Sequence, residues 1–392
     1  MKIIDNLVVG SGPGGAITVK TLIDNNYQVE VIEAGENFTR ENITPFSIDE
    51  MIYKYWAGGM TVMLGKPKIS YVMGKCLGGG SEVNSGFYHR LPKDILNYWN
   101  KKFELKIQSL DEYFSYCEEM LNIRPMPKEN VPKSSLKLLE GAQKLNWSCQ
   151  EIPRAFKYLP TQSIKQSMTQ TFLNKKIRST VKINKKIMVK KIKKVDGIWH
   201  VYSYENKTFF CKNLFLCAGA IQTPSILLRS GIKKNIGQTL QAHPTIKITA
   251  LFDEEVNSNE NDIAVHQIKE FSPEISMGCS ISTMPYLDLA LSNIEGYENF
   301  ARKYYKRMST YYSMITPSSH GKIKVMPFSK DPLVYYQLDK SDIEMIKEAL
   351  IKLAEVLFTA GAKKLFPSTL GSNLILKRED DFKSSINQLK NE

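Results

Sequence analysis

The chain is 392 residues long, with 42% hydrophobic and 24% charged residues and a formal net charge of +13. That balance belongs to a globular chain long enough for two domains and argues against a disordered or fibrous protein; no apolar run approaches the roughly 18 residues of a membrane-spanning helix. The positive charge is a lysine bias spread along the chain, without the basic–aromatic clustering of a nucleic-acid module, so neither nucleic acid nor a membrane span is expected.

The amino end carries the densest information. Ile3 to Val9 reads as a short buried strand, Gly10-Ser11-Gly12-Pro13-Gly14-Gly15 follows at once, and Ala16 to Asp24 reads as a helix. A second apolar strand, Val29 to Ile32, ends on Glu33, with Ala34 and Gly35 next. This is G-x-G-x-x-G with a strand before it, a helix after it and an acid at the end of the next strand, the context that marks a dinucleotide site. Gly10 permits the tight turn, Gly12 lets backbone approach a pyrophosphate, and Gly15 lets the helix pack on the strand. The helix start offers unpaired N–H groups and the positive end of its dipole. Glu33 lies 18 residues after Gly15 and is placed to accept ribose hydroxyls. The motif alone does not separate NAD from FAD.

Residues 36–73 read as an extended loop, rich in aromatics, that either passes over a planar or apolar group or is simply tacked down. Residues 74–92 form a second glycine-rich stretch, with Leu77, Val83 and Phe87 giving it the apolar anchors of a rigid loop. It suits contact with a further part of an extended cofactor, and a purely structural glycine turn is the competing reading. Helices are expected at about 94–102, 109–122 and 134–145, the second with Ser109 and Glu112 as a capping box. Strands are expected at 181–183, 187–192 and 199–203, with Asp196-Gly197 as a hairpin turn. Lysines at 185–194 read as a solvated strand face rather than a phosphate site. A buried strand at 213–217 then enters the turn Ala218-Gly219, followed by a helix capped by Thr223 with Pro224 at its first position. Beyond His243-Pro244 the spacing predicts strands at 245–255, 263–269, 276–284, 321–326 and 333–338, and helix at 297–306. The clearest helix spans 341–360: Ser341 caps it, Glu344 closes the box, and Ile343, Ile346, Leu350, Leu353 and Leu357 line one face. Residues 373–392 form a polar run without a final core strand.

Six cysteines are scattered with no C-x-x-C pair, so neither a zinc ribbon nor any other metal site, nor a thioredoxin-type centre, is expected. The chain opens on a core strand rather than on a signal peptide, and a cytoplasmic setting is expected.

Three stretches, GSGPGG with Glu33, GKCLGGGSEVNSGFYHR and CAGAIQTPSILLRSGI, resemble in order the motifs of the glucose–methanol–choline (GMC) family of FAD-dependent oxidoreductases. Fainter likeness runs through IGQTLQAHP and residues 321–367, and the YHR form of the middle stretch is similar to the long-chain-alcohol-oxidase branch. The resemblance implies an α/β fold: a Rossmann-like FAD-binding domain over 1–244 with a helical insertion at about 93–178, and an α+β substrate domain with a mainly antiparallel sheet over 245–392, its carboxyl end apparently incomplete. It implies that Gly10, Gly12, Gly14 and Gly15 hold the pyrophosphate, that Glu33 with Ala34 meets the ribose, and that Val189 contacts adenine through its main chain. Gly78, Gly79, Ser81 and Asn84 would run along the pyrophosphate and flavin, and Ala218 and Gly219 would approach the adenosine side. Some members attach FAD through a histidine just before the signature asparagine; Val83 stands there, so noncovalent FAD is implied.

The implied reaction is oxidation of an alcohol CH–OH by hydride transfer to flavin N5, with dioxygen or another acceptor closing the cycle. The family's catalytic histidine is expected beyond Glu392, and none of His89, His200, His243, His266 and His320 fits its role. The alternative class is a catalytically inert, split or truncated FAD-binding chain. A two-dinucleotide disulfide reductase is disfavoured by the missing cysteine pair and second glycine motif.

Overall fold

The computed structural model describes residues 2–38, 43–160, 162–257, 264–368, 374–378 and 384. Its first layer is a six-stranded sheet in the order Val189–Val195, Ile198–Ser203, Thr208–Leu216, Ile3–Val9, Val29–Ile32, Lys182–Asn184. The last four strands run parallel and the first three form an antiparallel meander. Both faces of the parallel part are covered, which is why Val29 to Ile32 and Leu7 to Val9 are buried. On one face Val8 and Val31 meet Ala16 and Val19 of the helix Pro13–Asp24, together with Phe172 and Leu173. On the other, Leu7, Val9 and Ile32 meet Val189, Val201 and Ile226.

The second layer is a seven-stranded antiparallel sheet in the order Leu376–Lys377, Lys364–Pro367, Thr245–Leu251, Met308–Ile315, Ile275–Cys279, His266–Ile268, Cys149–Glu151. Its Ile248, Ala250, Met277, Tyr311 and Ile315 face the helices Lys340–Thr359 and Lys133–Lys144 in the largest core cluster. The opposite face is polar over much of its area. The architecture is the expected one: a Rossmann-type α/β layer beside an α+β layer with an antiparallel sheet.

Several local expectations are corrected. Residues 36–73 are not an extended loop: they hold the helix Ile48–Lys54 and the hairpin Thr61–Met63 with Ile69–Tyr71. The signal was present in Ser47-x-x-Glu50, since the Ser47 hydroxyl accepts the Glu50 N–H. Ser109 does not cap a helix through Glu112; its Oγ accepts the Asp111 N–H just ahead of the helix Asp111–Met120. Thr223 is not a cap either, because the helix begins four residues earlier, at Gly219, leaving Pro224 in its interior. The strand Met308–Ile315 and the helix Met284–Leu291 were not anticipated. Most of 373–392 lies outside the described residues; Leu376–Lys377 within it does pair as a strand, with Lys364 and Leu365.

The long helix carries its predicted stripe, with Leu350, Leu353 and Leu357 buried, and stops at Gly361. Its cap is Asp339 rather than Ser341: the Asp339 carboxylate accepts the Asp342 N–H at 2.9 Å, and Ser341 Oγ donates to that same carboxylate. In the first turn, the buried Asp342 carboxylate accepts N–H groups of Ser318 and Ser319 at 2.9 and 3.2 Å. Asp342→Ala strands both donors, so we expect a loss of about 1–3 kcal/mol of stability, read as a lower urea midpoint with an unchanged slope. An unaltered midpoint would show that the two amides find other partners.

Candidate functional site

Three glycine turns converge at the carboxyl ends of the adjacent strands Ile3–Val9 and Thr208–Leu216, the place where open α/β sheets bind ligands. Gly10 takes φ +95°, and a Cβ there would lie 2.4 Å from the Cys217 carbonyl oxygen. A Cβ on Gly15 would lie 1.9 Å from the Gly10 carbonyl oxygen. These two glycines are required by the protein's own packing. Gly12 and Gly14 are different: a Cβ on Gly12 meets only Gly79 Cα at 3.8 Å, and one on Gly14 meets nothing within 4 Å. Gly12 is the N-cap of the helix Pro13–Asp24, and no side chain caps that end. Ala218 stands likewise at the start of Gly219–Arg229, again without a side-chain cap, and Gly219 also faces open space. Two helix N-termini therefore leave donors and dipole ends exposed side by side. That is a cradle for a pyrophosphate, the shared part of a dinucleotide.

The middle motif closes over the first. Residues 74–79 run past Gly35 and Glu36, with Leu77 N–H donating to the Glu36 carbonyl at 2.9 Å. Gly78 and Gly79 take φ of +90° and +56°, and a Cβ on Gly79 would lie 2.7 Å from Gly12 Cα. The close approach expected between Gly79 and a cofactor is thus also one between two backbone turns. Gly79→Val should force the turns apart; we expect loss of FAD retention together with faster amide exchange at residues 10–15 and 78–84. Native exchange there would show that the seam tolerates the branch.

Ser81 lies buried in this loop, donating to the Gly78 carbonyl at 2.7 Å and accepting the Met168 N–H at 3.0 Å, so it braces the turn. Asn84 is exposed, and its Oδ1 accepts the Gly86 N–H at 3.1 Å. Lys165, which the sequence did not single out, donates to the Glu82 and Asn84 carbonyls at 2.6 and 2.8 Å and closes the single helical turn Gly80–Val83. Burial pulls its ammonium down to about 8.

Glu33 is buried and already engaged. Its Oε2 accepts Ser11 N–H at 3.0 Å and Ser11 Oγ–H at 2.6 Å, and its Oε1 accepts Gly35 N–H at 2.8 Å. Ser11 Oγ in turn accepts Gly78 N–H at 3.1 Å. One carboxylate therefore ties together the first turn, the end of the second strand and the signature loop, and Ser11 is a site residue that sequence reasoning missed. The Ala34 amide also bonds this carboxylate, so its roughly four acceptor sites would be shared between the protein's own donors and a ribose hydroxyl. Burial raises the Glu33 pKa above its ordinary value despite these bonds. Ala34 follows directly, and Val189 sits nearby: Ile187 N–H donates to the Glu33 carbonyl at 3.0 Å.

The histidines are dispersed. His266 is held by Ser135 Oγ at 2.9 Å, and His200 packs edge-on against Phe210. His243 and His320 are exposed. His89 ends the signature loop; desolvation and the nearby Lys269 ammonium hold its pKa below the usual histidine value. Among the described residues no group of histidine, cysteine and carboxylate side chains forms a metal centre, and no helix is long and apolar enough to cross a membrane.

Comparison with known proteins gives a consistent picture. Residues 49–245 match the family described as GMC oxidoreductase. An uncharacterised GMC-type oxidoreductase of Sinorhizobium fredii is 30% identical over 94% of this chain and 77% of its own length. A long-chain-alcohol oxidase of Arabidopsis thaliana is 25% identical over 93% of this chain, which spans 55% of that protein. The crystal structure of pyridoxine 4-oxidase from Mesorbium loti shares the fold, with a TM-score of 0.69 at 16% identity over 90% of this chain and 80% of that one.

Proposed function

The chain belongs to the GMC oxidoreductase family, and from that premise we propose that it binds FAD noncovalently across the three glycine turns and oxidises the CH–OH group of a small alcohol. The observation that carries the proposal is the open backbone at Gly12, Gly14 and Gly219, beside two helix N-termini without side-chain caps. FAD, when bound, supplies the two-electron acceptor for the alcohol's hydride. The residues of the chain would hold and orient it, and the alcohol's hydroxyl proton is released to solvent. Amides at the two helix starts hold the pyrophosphate, Glu33 accepts the ribose hydroxyls, and the main chain at Val189 meets adenine. The loop Gly78 to Asn84, braced by Ser81 and Lys165, orders the backbone along the flavin side. With Val83 before Asn84, the loop has no histidine at the attachment position. The names of the plant oxidases and of pyridoxine 4-oxidase support an alcohol as substrate class. The final acceptor is dioxygen or a second oxidant.

The test is anaerobic mixing of the FAD-loaded chain with a panel of neutral and charged primary alcohols. We expect bleaching of the flavin's visible absorption with at least one alcohol, reversed by admitting air or a dye acceptor. A panel that leaves the spectrum unchanged contradicts the assigned reaction.

A further inference from the structure

Two short hairpins, Thr61–Met63 with Ile69–Tyr71 and Lys322–Lys324 with Leu333–Tyr335, join edge to edge. Leu64 N–H donates to the Val334 carbonyl and Tyr336 N–H to the Leu64 carbonyl, both at 2.8 Å, so Leu64 stands beside Tyr335. Strand alternation then sorts the side chains onto two faces. Met63, Ile323, Val334 and Tyr336 are buried together on the inner face. Val62, Leu64, Leu333 and Tyr335 alternate with them and are exposed on the outer face. Lys322 stands opposite Tyr335 and Lys324 opposite Leu333, so both lysines share that outer face. A solvated face of an antiparallel pair is normally polar; this one mixes apolar side chains with lysines.

One end of the face projects. The joined edges at Leu64 and Tyr335 run parallel, so the turns that lead into them, 57–60 and 325–332, lie at the same end. Trp56 Nε1 ties the two turns by donating to Asp331 Oδ1 at 2.7 Å. There Phe328 is fully exposed and Met60 is 83% exposed. Side chains as bare as these stand on protruding tips rather than in a groove. The charge around them has one sign. Residues 56–75 contain three lysines and no acid, and residues 321–335 contain three lysines and one acid, Asp331, which is already bonded to Trp56. Contiguous exposed apolar surface rimmed by polar residues marks a contact surface.

We propose that this face docks the protein on an anionic lipid surface, with Phe328 and Met60 entering the acyl boundary and the lysines of the two hairpins meeting the headgroups. Apolar tips beside lysines are the chemistry of a protein that lies on a membrane without spanning it. Charge complementarity selects this occupant. A second copy would set the same patch against itself, with Lys322 and Lys324 facing lysines and no acid free to pair with them. A lipid surface supplies both an apolar medium that yields to projecting side chains and a layer of negative charge worth about 1 kcal/mol per nearby lysine. The docking face uses no group of the glycine turns, so it stands or falls apart from the FAD reading.

The test is flotation of the full chain with vesicles of phosphatidylcholine alone and of equimolar phosphatidylcholine and phosphatidylglycerol. We expect the mixed vesicles to bind at least about tenfold more tightly at low salt, with the advantage shrinking as salt is added. Met60→Ser combined with Phe328→Ser should lower binding to mixed vesicles at least about tenfold and leave the thermal midpoint unchanged, because both side chains are exposed. Lys322→Gln with Lys324→Gln should remove much of the salt-sensitive part. Lys101→Gln with Lys102→Gln, which removes the same charge from the helix Lys93–Phe103, should change binding little. Phe328→Trp should keep binding, and its added emission should shift to the blue on mixed vesicles. Absence of vesicle binding overturns the proposal, as does binding that survives loss of the two apolar tips or falls equally with Lys101 and Lys102. A dimer in sedimentation that the Met60 and Phe328 changes disperse, without vesicle binding, gives the face to a second copy instead.

Discussion

Gly12→Ala is expected to lose FAD while leaving the fold as stable as before. The added methyl meets one protein atom, Gly79 Cα, at 3.8 Å, an ordinary van der Waals contact. The Gly12 backbone, at φ −64° and ψ −173°, is open to alanine without strain. The protein therefore has no reason of its own for glycine here. The reason lies with whatever approaches the uncapped helix start. A pyrophosphate held by the first-turn amides needs the backbone at van der Waals distance, and a methyl holds it away. We expect FAD affinity to fall at least about tenfold, on the order of 1.4 kcal/mol, with the thermal midpoint of the FAD-free chain unchanged. Gly10→Ala is the contrasting control. Its Cβ would sit 2.4 Å from the Cys217 carbonyl oxygen at φ +95°, so it should lower the midpoint before any ligand is added. A Gly12→Ala chain that holds FAD like the parent would move the cofactor away from this turn.

Glu33→Gln is expected to weaken both the fold and the cofactor site. Ser11 and Gly35 aim donors at both carboxylate oxygens. Glutamine turns one of those oxygens into an NH2 group, so at least one buried donor faces another donor. The expected cost is about 1–3 kcal/mol in stability, with a further loss of FAD affinity from the ribose contact. The carboxylate also sets a pH dependence. Burial raises the folded-state pKa of Glu33 above the ordinary 4.5. In the FAD-free chain the folded state therefore binds more protons than the unfolded state over the range just above 4.5, and this group's contribution to stability falls as pH rises through it. Ribose hydroxyls donate best to the ionised form, so FAD binding drives proton release and FAD affinity rises with pH over that same range. Glu33→Gln should flatten the dependence. A parent chain whose FAD affinity is flat from acid to neutral pH would show that Glu33 does not receive the ribose.

The nucleotide-binding layer was legible in the sequence because its signals are local. A strand, a glycine turn, a helix and an acid follow each other within 35 residues, and each is specified by its own neighbours. What was not legible depends on distant partners. Met308–Ile315 pairs with two strands at the centre of its sheet, yet MSTYYSMI shows no apolar alternation, because Thr310 and Tyr312 face one buried side and Tyr311 and Ile315 the other. Ser11 looked like a spacer between glycines; only the fold brings the Glu33 carboxylate and the Gly78 amide to it. The same holds for Lys165, which reaches the signature loop across 81 residues of sequence to Asn84. Cap positions slipped where two candidates stood close together. Asp339 outcompetes Ser341 because its carboxylate reaches the Asp342 amide, and the glycine turn at 218–219 starts its helix before Thr223 is reached.

The central claim is that the three glycine turns form one FAD site. Its most direct test is to mix the purified chain with FAD, remove free cofactor by gel filtration, and record the visible absorption of the protein fraction, alone and after addition of excess ADP. The account predicts stoichiometric FAD with a flavin spectrum shifted from that of free FAD, displaced by ADP competing for the adenosine and pyrophosphate half of the site. A protein fraction without visible absorption, or retained FAD that ADP leaves in place, would contradict it.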